Sequence, residues 1–155
     1  MTRTIVKFEP TLSPEMRLNE LEWEQQDLEG RAEALRFDLE QETYYGPESI
    51  YLIYKDKCFS HESSPYQYYF CWFKDASQSS PGNYVRLGSW KGWYEHANGT
   101  FDFHKALFTD GYRCGATSRA ATVDLICGYK EEIISVFESQ PCKFLFKFST
   151  PAACF

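Results

Sequence analysis

Several residue patterns are absent from this chain of 155 residues, and each absence removes a class of function. No run approaches the roughly 20 apolar residues of a membrane-spanning helix, so no membrane span is predicted. The formal net charge is -6 and no stretch concentrates basic residues, so a nucleic-acid partner would find no phosphate-binding surface. The three histidines are scattered and no Cys-x-x-Cys pair occurs, so we expect no metal ion and no cofactor.

Motifs of catalysis are absent as well. The sequence contains no Gly-x-Ser-x-Gly nucleophile turn, no His-Glu-x-x-His motif and no glycine-rich phosphate loop. Two carboxylates could still meet in space and act as an acid and a base, but the sequence singles out no such pair. We therefore expect a protein without catalytic residues, and binding is the favoured class of function.

Cysteine is the residue type that the chain has in an informative number. An even count of cysteines indicates disulfides made in an oxidising compartment, and six free thiols are the alternative. The first residues contain no apolar run of signal-peptide length, which conflicts with that indication. Either the start is truncated or wrongly assigned, or the cysteines are reduced in a cytosol, and we favour the first. The six lie in the last two thirds of the chain: Cys58, Cys71, Cys114, Cys127, Cys142 and Cys154.

An acidic helix is predicted at residues 13–42, after a tail at residues 1–12. Ser13 supplies a cap, and Pro14 suits the first helical position. The segment has ten acidic and three basic residues, a net charge of -7. We expect a coiled-coil-like helix that pairs with another chain or an upstream helix, and the alternative is a helix that lies on its own β domain. Apolar residues recur at heptad spacing in two sets, with the polar Gln25 in register: Leu18, Ala32 and Leu39, then Leu21, Leu28 and Leu35.

Beyond residue 43 the periodicity changes from helical to strand-like. Turn residues separate seven short segments that are predicted as strands, and no helix-length segment lies between them. Residues 43–155 are therefore expected to form one all-β domain, a flattened antiparallel barrel or sandwich. The predicted strands are 50–54, 66–72, 84–87, 101–108, 122–127, 133–137 and 143–148.

The cysteines and their flanking residues resemble a known family, the mannose 6-phosphate receptor homology (MRH) domain. The resemblance covers about residues 30–155 and is strongest to the version found in beta subunits of endoplasmic reticulum glucosidase II. It implies a flattened β-barrel of two sheets. The matching segments are 51–59, 66–73, 76–78, 88–93, 111–114, 118–123, 125–128, 138–142 and 149–154. The bridges that the resemblance implies are Cys58 with Cys71, Cys114 with Cys142, and Cys127 with Cys154.

This family binds mannose-type sugars through a glutamine, an arginine, a glutamate and a tyrosine. By their positions relative to the cysteines, the first three correspond to Gln78, Arg119 and Glu138. A guanidinium donates to hydroxyls in a fork, a carboxylate accepts from them and an amide does either. The fourth position holds Phe144, and Gly115 stands where the glucosidase version has tryptophan. The missing hydroxyl predicts a site weakened by about 0.5–1.5 kcal/mol.

The resemblance also implies a role. It is that of a non-catalytic lectin subunit in the endoplasmic reticulum lumen, acting in the trimming and quality control of N-glycans. The implied partners are the catalytic alpha subunit of glucosidase II and high-mannose N-glycans. One alternative is a degenerate MRH scaffold, in which the barrel binds no sugar and the acidic helix recruits other proteins. Another is a free-standing lectin of glycoprotein quality control.

Overall fold

The computed structural model describes residues 11–40 and 42–155 of the chain. By its internal contacts the chain divides into two units, Met1–Glu40 and Gln41–Phe155, and each is described by itself. The tail predicted at residues 1–12 lies outside the described residues, apart from the exposed Thr11 and Leu12.

The first unit contains one long helix, α1, which spans Pro14–Glu40. It begins where the sequence predicts, because the Ser13 hydroxyl accepts a hydrogen bond from the backbone N–H of Met16 at 3.3 Å. No helix in the described part of the chain is both long and apolar enough to cross a membrane. Four leucines of the heptad sets each expose between 47 and 57% of their surface: Leu18, Leu21, Leu28 and Leu35.

The second unit opens with a short helix, α2, and then folds into ten strands. Eight of them form one sheet in the order β1-β2-β3-β4-β5-β8-β10-β9, and β6 pairs with β7 apart from it. The two edge strands, β1 and β9, lie close to each other, so the sheet is nearly closed into a barrel. The bounds are α2 Glu42–Tyr45, β1 Cys58–Ser63, β2 Tyr66–Cys71, β3 Asp75–Ser80, β4 Asn83–Glu95, β5 Phe101–Asp110, β6 Arg113–Cys114, β7 Thr117–Ser118, β8 Ala120–Cys127, β9 Glu132–Gln140 and β10 Lys143–Thr150.

The predicted all-β barrel is therefore confirmed, with one departure from a wholly antiparallel sheet. Strand β10 runs parallel to β8 and antiparallel to β9. The chain reaches this arrangement by placing β9 one strand position away from β8 and then returning β10 into the gap. The inward residues of this strand, Phe144, Phe146 and Phe148, expose at most 6% of their surface, and its backbone is paired along both edges.

One predicted strand is wrong. Residues 50–54 belong to a 3-10 helix that spans Pro47–Tyr54 and follows Gly46 with its positive φ of 84°. Tyr51 and Tyr54 are both fully buried and lie three residues apart, which is the period of a 3-10 helix. Ile53, which alternation would bury together with Tyr51, is 58% exposed.

Four of the observed strands, β1, β3, β6 and β7, are not predicted from the sequence, and β4 is longer than predicted. Strand β3 is rich in serine, and β6 and β7 contain two residues each, so none of them carries a strong apolar alternation. These strands are specified by the partners to which they bond rather than by their own residues.

Aromatic rings fill the interior of the barrel. Trp72, which is 1% exposed, stacks with Tyr51 and Tyr54 at ring-centroid distances of 5.4 and 5.1 Å. From the opposite part of the sheet, Phe148 meets Phe70 edge to face at 5.1 Å. Large rings bury much apolar area each, so a domain of this size reaches a stable core with few side chains.

The structure contains three disulfides, and their pairing is the one that the resemblance implies. They join Cys58 to Cys71, Cys114 to Cys142 and Cys127 to Cys154.

Replacing a phenylalanine of β10 should show how far the domain depends on this core. We expect Phe146→Ala to lower the free energy of unfolding by about 3–5 kcal/mol, because a buried ring is lost and a cavity is left. The measurement is urea unfolding of the oxidised protein followed by near-UV circular dichroism. The matched control is Phe137→Ala on β9, where the ring is 45% exposed and the loss should be about 1 kcal/mol or less. Equal losses at the two positions would contradict this account of the core.

Candidate carbohydrate-binding site

The candidate site begins on the hairpin of strands β2 and β3. Tyr68 and Gln78 are paired across this hairpin, so their side chains extend from the same face of the sheet. The side-chain amide of Gln78 donates a hydrogen bond from Nε2 to the Tyr68 hydroxyl at 3.3 Å. Tyr68 is only 7% exposed and faces the interior together with Phe70. Gln78 is thus held at the end of the barrel by a residue that the sequence analysis did not include.

Glu138 and Phe144 come from the hairpin of strands β9 and β10, where they too are paired. The Phe144 ring lies 6.4 Å from the Tyr68 ring, at an interplanar angle of 49°, and is 6% exposed. Glu138 is anchored at the hairpin turn, where its Oε1 accepts a hydrogen bond from the backbone N–H of Cys142 at 2.7 Å. One carboxylate oxygen is therefore held by the backbone, and the residue itself remains exposed.

Arg119 lies directly before β8, in the connection that contains β6 and β7. Its Nη1 donates a hydrogen bond to the carbonyl oxygen of Arg113 at 2.7 Å. Its backbone N–H donates to the carbonyl oxygen of Tyr112 at 3.0 Å. Gly111 accepts no larger residue here, because a Cβ on it would lie 2.4 Å from the carbonyl oxygen of Leu87. The connection therefore packs tightly on the sheet before it reaches Arg119.

A disulfide joins the Arg119 connection to the Glu138 hairpin. Cys114, next to the carbonyl that Arg119 binds, is bridged to Cys142, whose N–H binds Glu138. The backbone N–H of Ala120 also donates to the Cys142 carbonyl oxygen at 3.1 Å. Contacts thus run from Gln78 through Tyr68 to the Glu138 hairpin, and from there through the disulfide to Arg119. The structure places Gln78 and Phe144 next to Tyr68 and pairs Glu138 with Phe144, whereas the Arg119 side chain binds within its own connection.

The environment of Tyr68 fixes its protonation state. Burial raises the pKa of the Tyr68 phenol above its usual value of about 10, and Tyr66 and the charge of Glu138 raise it further, whereas the hydrogen bond from Gln78 lowers it. The phenol is therefore neutral at physiological pH and keeps its O–H for donation. The sequence signal for this residue lies in β3, because a tight turn after Cys71 pairs Tyr68 with Gln78.

The connection between β6 and β7 has free space at Gly115, the position at which the resemblance places a tryptophan in the glucosidase II version. Gly115 lies between β6 and β7 with a φ of 64°, and nothing lies within 4 Å of the Cβ that a side chain would add there. The exposed aromatic residue of this connection is Tyr112, whose ring lies 6.4 Å from that of Tyr84. In the described residues no group of three His, Cys, Asp or Glu is placed to hold a metal ion.

A cleft lies at the same end of strands β2 and β3. Its volume is about 440 Å³, and it lies between the β1-β2 turn and the β3-β4 turn. Its lining includes Tyr66 and Gln67 on one side and Ser79 on the other, next to the pair Tyr68 and Gln78. None of the candidate sugar-binding residues lines this cleft, and Gln67 and Ser79 extend from the opposite face of the sheet to Tyr68 and Gln78.

Comparison with known proteins agrees with this architecture. The family model described as glucosidase II beta subunit-like protein matches residues 14–155. The glucosidase 2 subunit beta of Mycosarcoma maydis is 29% identical over 120 residues, which are 73% of this chain and 21% of that protein. The same subunit of Oryza sativa subsp. indica is 32% identical over 111 residues, which are 71% of this chain and 17% of that protein. This chain thus spans about a fifth of the length of these relatives.

A human protein with a different name is similar as well. The human N-acetylglucosamine-1-phosphotransferase subunit gamma is 34% identical over 114 residues, 70% of this chain and 36% of that protein.

A solved structure matches the β domain. The MRH domain of glucosidase II beta bound to mannose has 27% identity and a TM-score of 0.55, over 68% of this chain and all of that one. Because the family model extends over residues 14–155, which include the helix α1 and the whole barrel, this chain belongs to the glucosidase II beta subunit-like family.

Proposed function

We propose that the β domain is a lectin that binds mannose residues of high-mannose N-glycans through Gln78, Arg119 and Glu138. The observation that carries the proposal is the set of contacts that ties these residues to one end of the barrel. A pyranose hydroxyl both donates and accepts, so it can accept from a guanidinium or amide while donating to a carboxylate. The backbone anchors of Glu138 and Arg119 reduce the side-chain freedom that binding would otherwise cost.

We further propose that the chain acts as a non-catalytic subunit. On this proposal it brings N-glycans to a catalytic alpha subunit of glucosidase II in the endoplasmic reticulum lumen. Two observations support it: the relatives are named as glucosidase 2 beta subunits, and the three disulfides suit an oxidising lumen. The hydrolysis belongs to the partner, and this chain contributes recognition of the substrate.

A second function is favoured by the helix. Its leucines at heptad spacing are about half exposed, and they form a narrow apolar stripe on an acidic surface. Such a stripe pairs with a second helix, and the net charge of -7 over residues 13–42 favours a basic partner over a second copy. On this alternative the barrel is a scaffold that has lost sugar binding, and recruitment by the helix is the whole function.

Removal of the Arg119 guanidinium tests the lectin proposal. We expect Arg119→Ala to abolish binding of methyl α-mannoside, since the loss of charge-assisted hydrogen bonds weakens an already weak site by about ten- to a hundredfold. The measurement is an NMR titration of the oxidised chain. Arg31→Ala, on the separate helix α1, is the control and should bind like the unaltered chain. Binding that survives Arg119→Ala would remove this residue from the site.

The disulfide between Cys114 and Cys142 should matter more for mannoside binding than the disulfide between Cys58 and Cys71, because only the first adjoins the candidate site. We expect the double variant Cys114→Ser and Cys142→Ser to lower mannoside affinity about tenfold, because the Glu138 hairpin and the Arg119 connection lose their covalent link. The control is Cys58→Ser with Cys71→Ser, for which we expect less than a twofold change at a temperature where both variants stay folded. An equal loss in the two variants would mean that the first bridge acts through stability alone.

Substitutions in the leucine stripe of helix α1 test whether the helix binds the catalytic alpha subunit. We expect Leu21→Ser with Leu28→Ser to abolish co-purification with a glucosidase II alpha subunit, while mannoside binding stays unchanged. The control is Gln26→Ser with Glu33→Ser, which lies outside the heptad sets. If the alpha subunit still co-purifies with the leucine variant, the stripe is not its docking surface.

A further inference from the structure

The residue at position 144 leaves the candidate site short of one hydroxyl, and the structure offers another one nearby. The site that the family resemblance implies has four polar side chains, whereas Phe144 contributes only a ring that is 6% exposed. That ring packs 6.4 Å from the ring of Tyr68. The ring of Tyr68, which carries a hydroxyl, is thus a neighbour of the ring that lacks one.

The hydrogen bonding of Tyr68 leaves a donor for a ligand. Its oxygen accepts from Gln78 Nε2, and a phenol that accepts in this way still has its own O–H to donate. A buried O–H group that lacks a partner costs free energy. A ligand that accepts a hydrogen bond from the Tyr68 O–H would remove that cost.

Glu138 completes the geometry. One of its carboxylate oxygens accepts a hydrogen bond from the backbone N–H of Cys142 at 2.7 Å, which orients the group at the turn. Its negative charge acts on the Tyr68 phenol. A sugar hydroxyl located near both groups could accept from the Tyr68 O–H and donate to the Glu138 carboxylate, which satisfies both of its hydrogen-bonding capacities.

We propose that Tyr68 supplies the fourth sugar-binding group of this site, in the place of a hydroxyl on residue 144. The inference rests on the lectin function proposed above, and it names the residue that makes the site complete. It reverses the expectation from the sequence, in which Phe144 leaves the site one hydrogen bond weaker. Phe144 then serves as an apolar support under the Tyr68 ring rather than as a lost contact.

The test is an NMR titration of the full oxidised chain with methyl α-mannoside. We expect Tyr68→Phe to weaken binding about tenfold, whereas Phe144→Tyr should improve it less than threefold. Tyr69→Phe is the matched control, because it removes the same hydroxyl from the next residue of β2, on the opposite face of the sheet, and should change affinity less than twofold. Urea unfolding should give the same midpoint for Tyr68→Phe and the unaltered chain. A tenfold gain for Phe144→Tyr together with a neutral Tyr68→Phe would overturn the assignment.

A second measurement separates a sugar contact from mere positioning of Gln78. The 2-, 3-, 4- and 6-deoxy analogues of methyl α-mannoside are titrated against Tyr68→Phe and Gln78→Ala. If Tyr68 contacts the sugar directly, one deoxy analogue should bind the unaltered chain and Tyr68→Phe with equal affinity. A different analogue should be the one whose affinity is unchanged by Gln78→Ala. Identical profiles for the two variants would mean that Tyr68 acts only through Gln78, which overturns the proposal. If the unaltered chain binds no mannoside, the lectin function itself fails, whereas binding with an unaffected Tyr68→Phe removes only the role of Tyr68.

Discussion

Strand β10 must bury one face and bond along both edges, and the rest of the barrel follows from that constraint. Its inward residues Phe144, Phe146 and Phe148 are almost wholly buried, and the backbone N–H and C=O groups of such a buried strand require a partner along each edge. The sheet provides them as β8, which is parallel, and β9, which is antiparallel. The connection from β8 to β9 therefore has to bypass the position that β10 will occupy, and the barrel closes around the rings.

The same strand marks where the core ends and the polar site begins. Phe144 is the first inward residue of β10, and its neighbours in the sheet on either side are Ala121 and Glu138. The chain enters β10 directly from Cys142, which is bridged to Cys114. A covalent link at the mouth of the barrel is thus an outcome of where β10 starts. It holds the Glu138 hairpin and the Arg119 connection together, although they come from distant parts of the sequence.

The two units suit two kinds of recognition. A shallow site for one sugar ring is a weak binder by nature, because few atoms are in contact and water competes for every hydroxyl. An exposed helix on the same chain could hold a partner nearby, which raises the local concentration of the bound glycan at that partner. In our proposal, a site of low affinity is then sufficient, and the loss of a hydroxyl at position 144 is tolerated because Tyr68 offers another.

The sequence by itself determined the start of the helix and most of the strands, because their signals lie in residues that are close together in the chain. Ser13 and Pro14 set the start of helix α1, and alternation identified six of the strands, because capping and the strand period act within a few residues. The number of cysteines indicated three bridges, although six cysteines allow 15 pairings and only the family resemblance implied the one found. That resemblance also selected Gln78, Arg119, Glu138 and Phe144.

Only the tertiary structure decided what depends on residues far apart in the chain. The sequence predicts a strand at residues 50–54, but Tyr51 and Tyr54 both stack on Trp72. A 3-10 helix is the conformation that places both rings on the side of Trp72. The parallel pairing of β10 has no local signal, since it depends on which strands remain free to bond to its two edges. Tyr68 becomes part of the site only because β3, a serine-rich strand with little pattern of its own, pairs with β2 and places Gln78 opposite it. Pairing of this kind is a property of the whole sheet, and no single segment encodes it.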